Sequence, residues 1–450
     1  MMSNSVLDGI MGLAVADALG VPVEFNSRNE LTRYPVMGMR SFGTYNQPKG
    51  TWSDDTSLTL CLAESLTKTL DYDNIMKNFI NWFDKGDYTA HGDVFDIGNT
   101  TKESLIRYTK GISPLKCGGN NENDNGNGSL MRILPLIFYL QSEFGLNFKD
   151  NKEGEIFDII HNISSLTHRH KRSHIACGIY IFIASKLLTG KDKEIAVDSG
   201  VHDALEYYKK QEEYQIELSY FNRIGSKDFK NVLAHDIKSS GYVIDTLEAA
   251  IWCLLNTDDY KSCVLEAVNL GDDTDTVAAV AGGLAGILYG YKSIPNDWLE
   301  AIVKREYIEE LCGNLNTSLT TKSVEKLVKY IPYLETAGEK NIYSYSVNNK
   351  NTDNIYNFGS PVYDDKLAEF IDEVYGTNLI SYNYLTVIKN VTKGTGTIET
   401  FIVTADIKLL KAILTLYIRQ ERFNEGLWKI AVRDKLFLKI INRFREILDI

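Results

Sequence analysis

A chain of 450 residues is long enough for one large hydrophobic core and a second, smaller one. Its 44% hydrophobic and 24% charged residues are the balance of an ordinary soluble globular protein. Its formal net charge of −12 argues against a non-specific nucleic-acid binder, because phosphate contacts need a basic surface. No apolar run is read as reaching the ~20 residues of a membrane span, Val277–Tyr289 being too short and too rich in glycine. The opening MMSNSVLDGIMG has neither the basic flank nor the cleavage site of a signal peptide. A cytoplasmic protein without a membrane partner is therefore expected. Cys61, Cys117, Cys177, Cys253, Cys263 and Cys312 form no CxxC pair and fall mostly within apolar helical patterns, as buried free thiols would.

In chain order, residues 5–19 read as a helix capped by Ser3, Asn4 or Ser5, with Gly20 suited to the left-handed position after it. Pro22 ends the helix, and Glu24 follows in a tight loop, where an isolated acid is by itself only a solvated carboxylate. Residues 28–51 lack periodicity. Trp52, Ser53, Asp54, Asp55 and Thr56 then open a helix to about Leu70. One side chain suffices for a cap, so Ser53, Asp54, Asp55 and Thr56 together exceed what capping needs. A helix over 72–84 leads to FDIGNTT, with Asp96 and Gly98 before another helical pattern. The stretch GGNNENDNGNG at 118–128 runs into SLMRILPL, so Gly126, Asn127, Gly128 and Ser129 are expected to precede an apolar helix whose amides would suit a phosphate. Arg132 is open to a phosphate or to an ordinary ion pair.

Two helices are expected over 155–189, broken at LTHRHKRSH. His170 and His174 stand four apart without a nearby cysteine or an HExxH glutamate, so zinc is not expected and both are read as solvated. His168, at the break, suits a hydrogen bond to substrate. Three helices follow over 240–256, 258–268 and 274–290. The last is apolar on nearly every face, and at its start Asp272, Asp273 and Asp275 are carboxylates that repel one another unless a cation sits among them, with Thr276 offering a further oxygen. Two such clusters, at 53–56 and 272–276, are suited to hold one or two divalent ions between two helix starts.

Further helical patterns, including 318–332, complete an all-α region of 1–335. A polar linker is expected over 336–357, and a small helix-rich domain over 358–450. The last fifty residues carry ten Lys and Arg against six Asp and Glu, a local +4 that leaves an acidic or nucleic-acid target open.

Five segments in order, GLAVADALGVPVEF, WSDDTSL, FDIGNTT, GNGSLMR with LTH after it, and GYVIDTLEAAIW leading into NLGDDTDTVAAVAGGLAGILYG, resemble the ADP-ribosylglycohydrolase family across about two thirds of the chain. The resemblance implies a compact all-α fold and an enzyme that cleaves the glycosidic bond of ADP-ribose on a modified protein or small molecule, reversing mono-ADP-ribosylation with ADP-ribose as product. It implies two Mg²⁺ (or Mn²⁺) ions held by Ser53, Asp54, Asp55, Asp273, Asp275 and Thr276. Glu24, Asp54, Asp55 and Asp96 would then be the catalytic acids, and Gly98, Gly126, Asn127, Gly128, Ser129 and His168 the substrate contacts. A monomer is expected. Two departures stand out: Ser53 where Thr is frequent, and Asp272 where Gly is frequent. The C-terminal part is similar to a small domain of unknown function. The rival readings of the acidic clusters are a metal-dependent phosphohydrolase of a nucleotide sugar and a non-catalytic ADP-ribose-binding module.

Overall fold

The computed structural model describes residues 4–148, 152–339, 343–347, 358–392 and 398–450. Among them the chain forms 21 α-helices and one two-stranded antiparallel ladder, Tyr343–Val347 against Phe358–Tyr363. Two compact units result: Met1–Tyr139 with Phe148–Asn316, and Leu140–Asn147 with Thr317–Ile450. The division falls at Asn316, inside the Arg305–Val328 helix and ahead of the composition change past 335. Most of the expected 336–357 linker lies outside the described residues.

The first unit is built on two helices, Ser5–Gly20 and Thr274–Tyr289. Asn4 caps the former by accepting from the Leu7 N–H at 3.0 Å, and every residue of that helix except Ser5 and Asp8 is buried. Ser5–Val23 is long and apolar enough to cross a membrane, contrary to the sequence reading, but 94% of its most apolar window is buried inside the protein. Its apolarity is explained by its place in the core. The two helices meet along a seam of small residues that leaves no room for side chains: a Cβ on Gly12 would lie 2.5 Å from the Gly282 carbonyl oxygen, and one on Gly286 would lie 2.2 Å from that of Asp8.

Gly20 does not take the left-handed conformation expected of it; it stays helical at φ −79°. The position needs glycine for a different reason, since a Cβ there would come within 2.3 Å of Asp275 Cα. The end of one central helix thus lies against the start of the other, and the Thr274 hydroxyl donates to the Gly20 carbonyl at 2.9 Å. The supposedly aperiodic 28–51 segment contains a short helix, Arg28–Arg33, begun by a Ser27–Glu30 capping box. The helix expected directly after Ser129 does not begin until Pro135. Proline suits a first helical turn and biases Leu134 out of the helical conformation, so residues 127–134 close instead as turns, with the Met131 N–H donating to the Asn127 carbonyl at 3.0 Å.

The second unit has a core of its own. Leu367 and Phe370 of the Asp365–Tyr375 helix, Leu410 and Ile413 of the Ile407–Gln420 helix, and Phe437, Ile440 and Phe444 of the Leu436–Leu448 helix are all buried. Asp364 caps the first of these at the Leu367 N–H, 2.8 Å away.

Replacing Gly12 with Ala should destabilise the protein by about 1–3 kcal/mol, as overpacking of a tight seam does. Gly313→Ala, in a helix where nothing lies within 4 Å of the added Cβ, should stabilise by about 0.5–1 kcal/mol. Denaturant midpoints measure both, and a Gly12→Ala protein as stable as the parent would contradict the seam.

Candidate active site

The Asp54–Leu66 helix begins with Ser53 as its N-cap, the Ser53 hydroxyl accepting from the Asp55 N–H at 3.3 Å. Its first turn faces the first turn of the Thr274–Tyr289 helix, and the Thr276 hydroxyl donates to Asp55 at 3.3 Å. The two acidic clusters of the sequence therefore meet, as their chemistry suggests. Asp17, from inside the Ser5–Gly20 helix, joins them: an oxygen each from Asp17, Asp55 and Asp275 lies within 4.8 Å of the others, and a second such group is Glu24, Asp96 and Asp275.

Asp17 is fully buried. It accepts from the Ser53 N–H at 3.0 and 3.1 Å, the Thr56 N–H at 3.0 Å and the Thr56 hydroxyl at 2.5 Å. It thereby fixes the Ser53–Thr56 turn to the central helix. Asp273 accepts from the Asn127 amide at 2.8 Å, and that amide also reaches Thr246 at 2.9 Å. The Tyr45 hydroxyl donates to Asp96. Asp96 itself sits at φ 61° and Phe25, next to Glu24, at φ 64°. Left-handed backbone at non-glycine residues is costly, and here it flanks the acid cluster.

Burial dominates the electrostatics. It pushes Asp54, Asp55 and Asp275 well above the usual carboxylate range, with neighbouring carboxylates adding to the effect. Glu24 is lifted to about 9 by burial first and then by the charges of Asp96 and Asp273. Asp17 reaches about 6 by burial, held back by its bonds from Thr56 and Ser53. Asp96 and Asp273 are raised for the same first reason. Among the described residues no Lys, Arg or His pairs with any of these acids. Glu24 Oε2, Asp55 Oδ2, Asp273 Oδ1 and Asp275 Oδ2 are buried without a hydrogen-bond partner. Buried, unpaired oxygen donors with two hydroxyls among them are a donor set that fits divalent, oxygen-preferring cations.

The expected substrate contacts come from three segments, at Gly98, at Gly126–Ser129 and at His168. Gly98 caps the Asn99–Thr109 helix. The Asn127 N–H donates to the Gly241 carbonyl at 3.1 Å and the Val243 N–H to that of Asn125 at 3.0 Å, which ties this loop to the start of the Val243–Asn256 helix. A Cβ on Gly128 would come within 2.8 Å of His168 Cε1 and 3.0 Å of Thr101 Oγ1. The Gly126–Gly128 loop, the Asn99 helix start and His168 are thus packed together. Ser129 departs from the expectation: it is fully buried, and its hydroxyl accepts from Ser164 at 2.9 Å in the core. Because the helix starts only at Pro135, the loop offers no helix dipole.

Other expectations are corrected. Asp272 is exposed and belongs to neither acidic group, its backbone at φ 59° paired with Phe25 and Asn26. That conformation is one glycine prefers, which accounts for the frequent Gly there. Arg132 pairs with no acid among the described residues; it is fully buried, with Phe79 4.9 Å away at its ring centroid and its guanidinium donating to the Ile163 carbonyl and Thr167. His174 is buried between Ser165 at 2.9 Å and Tyr214 at 3.1 Å, not solvated, while His170 caps the Lys171–Leu188 helix. Glu122, His170 and Glu217 come together near the surface, but Arg172 pairs with both glutamates at 2.7 Å. All six cysteines are buried and free.

The sequence reading passes over Asp17 and Tyr45. A lone acid inside the apolar run AVADALG is the signal that could have found the first. Nothing local marks Tyr45.

The pattern described as ADP-ribosylglycohydrolase matches residues 2–325. The chain belongs to the ADP-ribosylglycohydrolase family. It is 36% identical to the ADP-ribosylarginine hydrolase Tri1 of Serratia proteamaculans, over 68% of this chain and 77% of that one. It is 28% identical to the ADP-ribosyl-[dinitrogen reductase] glycohydrolase of Rhodospirillum rubrum, over 67% and 92%. A solved structure titled ADP-ribosylglycohydrolase-related protein complex covers 70% of this chain and 98% of its own, with a TM-score of 0.57 and 30% identity. Residues 319–449 match a family of unknown function (DUF6508). As an ADP-ribosylglycohydrolase, this chain is a hydrolase of the glycosidic bond that joins ADP-ribose to a target.

The acids whose pKa values are raised on folding make the cation-free protein pH-sensitive. Between the ordinary carboxyl values of 3.8 and 4.5 and the folded value of about 9 at Glu24, the folded state binds more protons than the unfolded chain. Its stability should therefore fall as pH rises through that window. In EDTA the melting temperature should drop from pH 5 to pH 9, whereas added Mg²⁺ or Mn²⁺ should raise it, most at the alkaline end. A pH-independent melting temperature in EDTA would contradict this electrostatic picture.

Proposed function

We propose that this ADP-ribosylglycohydrolase removes ADP-ribose from arginine side chains of modified proteins, using two Mg²⁺ or Mn²⁺ ions. The observation that carries the cation assignment is the set of buried, unpartnered carboxylate oxygens on Glu24, Asp55, Asp273 and Asp275. The arginine linkage follows the 36% identical ADP-ribosylarginine hydrolase. Ser53, Asp54 and Asp55 on one helix start, and Asp273, Asp275 and Thr276 on the other, are the proposed ligands. Bound there, the cations supply Lewis acidity toward ribose hydroxyls and a water of lowered pKa.

The protein's own groups divide the remaining work. Asp54 or Asp55 is the nearest base for a water attacking the anomeric carbon, where oxocarbenium character develops. Asp17 holds the Ser53–Thr56 turn and Asn127 holds Asp273, so the acids are fixed before substrate arrives. Glu24 and Asp96, the latter oriented by Tyr45, position the water and the leaving group. Gly98, the Gly126–Gly128 loop and His168 receive the ADP-ribosyl body, to which Ser129 adds only backbone.

Purified protein should release free ADP-ribose from arginine-linked substrate with Mg²⁺ or Mn²⁺, not with EDTA, and not from serine-linked substrate. Asp275→Asn should lower turnover by roughly two orders of magnitude or more while leaving the protein folded. Normal turnover by that folded variant would overturn the ligand assignment. Release from serine-linked substrate alone would overturn the arginine linkage.

A further inference from the structure

We propose that Arg132 and Thr167 are positioning residues that lock His168 as its Nε2–H tautomer, so that the imidazole offers a hydrogen-bond donor to an oxygen of the ADP-ribosyl group at the Gly126–Gly128 loop. The ligand half of this proposal rests on the function given above; the relay half does not. Arg132 is completely buried. Its Nη2 donates to the Ile163 carbonyl at 3.1 Å and to Thr167 Oγ1 at 2.8 Å. A guanidinium has only donors, so at Thr167 it occupies an oxygen lone pair and accepts nothing in return.

Thr167 is also completely buried. Among the described residues its hydroxyl has one hydrogen-bond partner besides Arg132, His168 Nδ1 at 2.9 Å. The hydroxyl proton needs an acceptor, since a buried donor left unmade is costly. Arg132 cannot serve, so the proton goes to Nδ1, which must then carry a lone pair. The ring proton of the neutral imidazole consequently resides on Nε2. Burial, with the Arg132 charge close by, pushes the imidazole down to about 3 and keeps it neutral at physiological pH.

Nε2 is the atom turned toward the loop. A Cβ on Gly126 would lie 3.5 Å from it and one on Gly128 3.4 Å. Among the described residues Nε2 has no hydrogen-bond partner, whereas Nδ1 has Thr167. The missing side chains of Gly126 and Gly128 leave a donor facing the loop without an acceptor from the protein. Diphosphate and ribose oxygens are acceptors of the kind that would complete it.

The test compares full-length wild type with Thr167→Val, which keeps the shape and removes the hydroxyl, and with Thr167→Ser, which restores it. Long-range ¹H–¹⁵N spectra of histidine-labelled protein report the tautomer, and calorimetry with ADP-ribose reports the contact. Wild type and Thr167→Ser should show His168 protonated at Nε2 alone. Thr167→Val should lose that signature, bind ADP-ribose roughly tenfold more weakly, and show KM rising by a larger factor than kcat falls. A wild-type His168 protonated at Nδ1, or a Thr167→Val protein with unchanged tautomer and affinity, would overturn the relay. Intact tautomer switching without ADP-ribose binding by wild type would overturn the ligand assignment and the function beneath it, leaving the relay standing.

Discussion

Carboxylates taken out of water without a counter-charge oppose folding unless something else neutralises them, and the first unit gathers Asp17, Glu24, Asp54, Asp55, Asp96, Asp273 and Asp275 in one place. Much of that unit serves to hold them there. The glycine seam brings two helices so close that Gly20 touches Asp275 backbone to backbone. Asp17 reaches from one of those helices to grip the turn that presents Ser53, Asp54 and Asp55. Arg28 supports the other side, donating to the Leu270 carbonyl at 2.7 Å just ahead of Asp273. Protons relieve this crowding, as the raised pKa values of Glu24, Asp54, Asp55 and Asp275 express, and the unpartnered oxygens are of the kind a divalent cation takes.

The parts of the site that lie at helix starts were legible in the sequence. Ser53, Asp54, Asp55 and Thr56 exceed what a cap requires, Asp273 and Asp275 crowd carboxylates together, and both clusters open helices whose periodicity or apolarity is plain. Contacts that depend on tertiary approach were not legible. Asp17 looks like a misplaced acid in a core helix until Ser53 and Thr56 are seen to bond to it. Tyr45 belongs to an aperiodic loop, and only folding brings it to Asp96. Gly20 shows how a correct residue preference can be assigned to the wrong cause: the position demands glycine for close packing and not for a left-handed turn.

The Gly126–Ser129 loop is the instructive departure. A run of Gly and Asn before apolar residues looks like an anion cradle at a helix start, but Pro135 delays the helix and Ser129 turns into the core. What the loop offers instead is close packing against His168 and an Asn127 amide that donates to Asp273. The Asn127 side chain thus ties this loop to the acid cluster. The second unit, with its own core of Phe370, Ile413, Phe437 and Phe444, brings no comparable cluster among the described residues.

The central claim is that the paired helix starts form a cation site. Anomalous diffraction from crystals grown with Mn²⁺ tests it most directly. The account predicts strong peaks coordinated by Asp55 and Asp275 and bounded by Ser53, Asp54, Asp273 and Thr276. Crystals of catalytically active protein with no anomalous peak among these residues would contradict it.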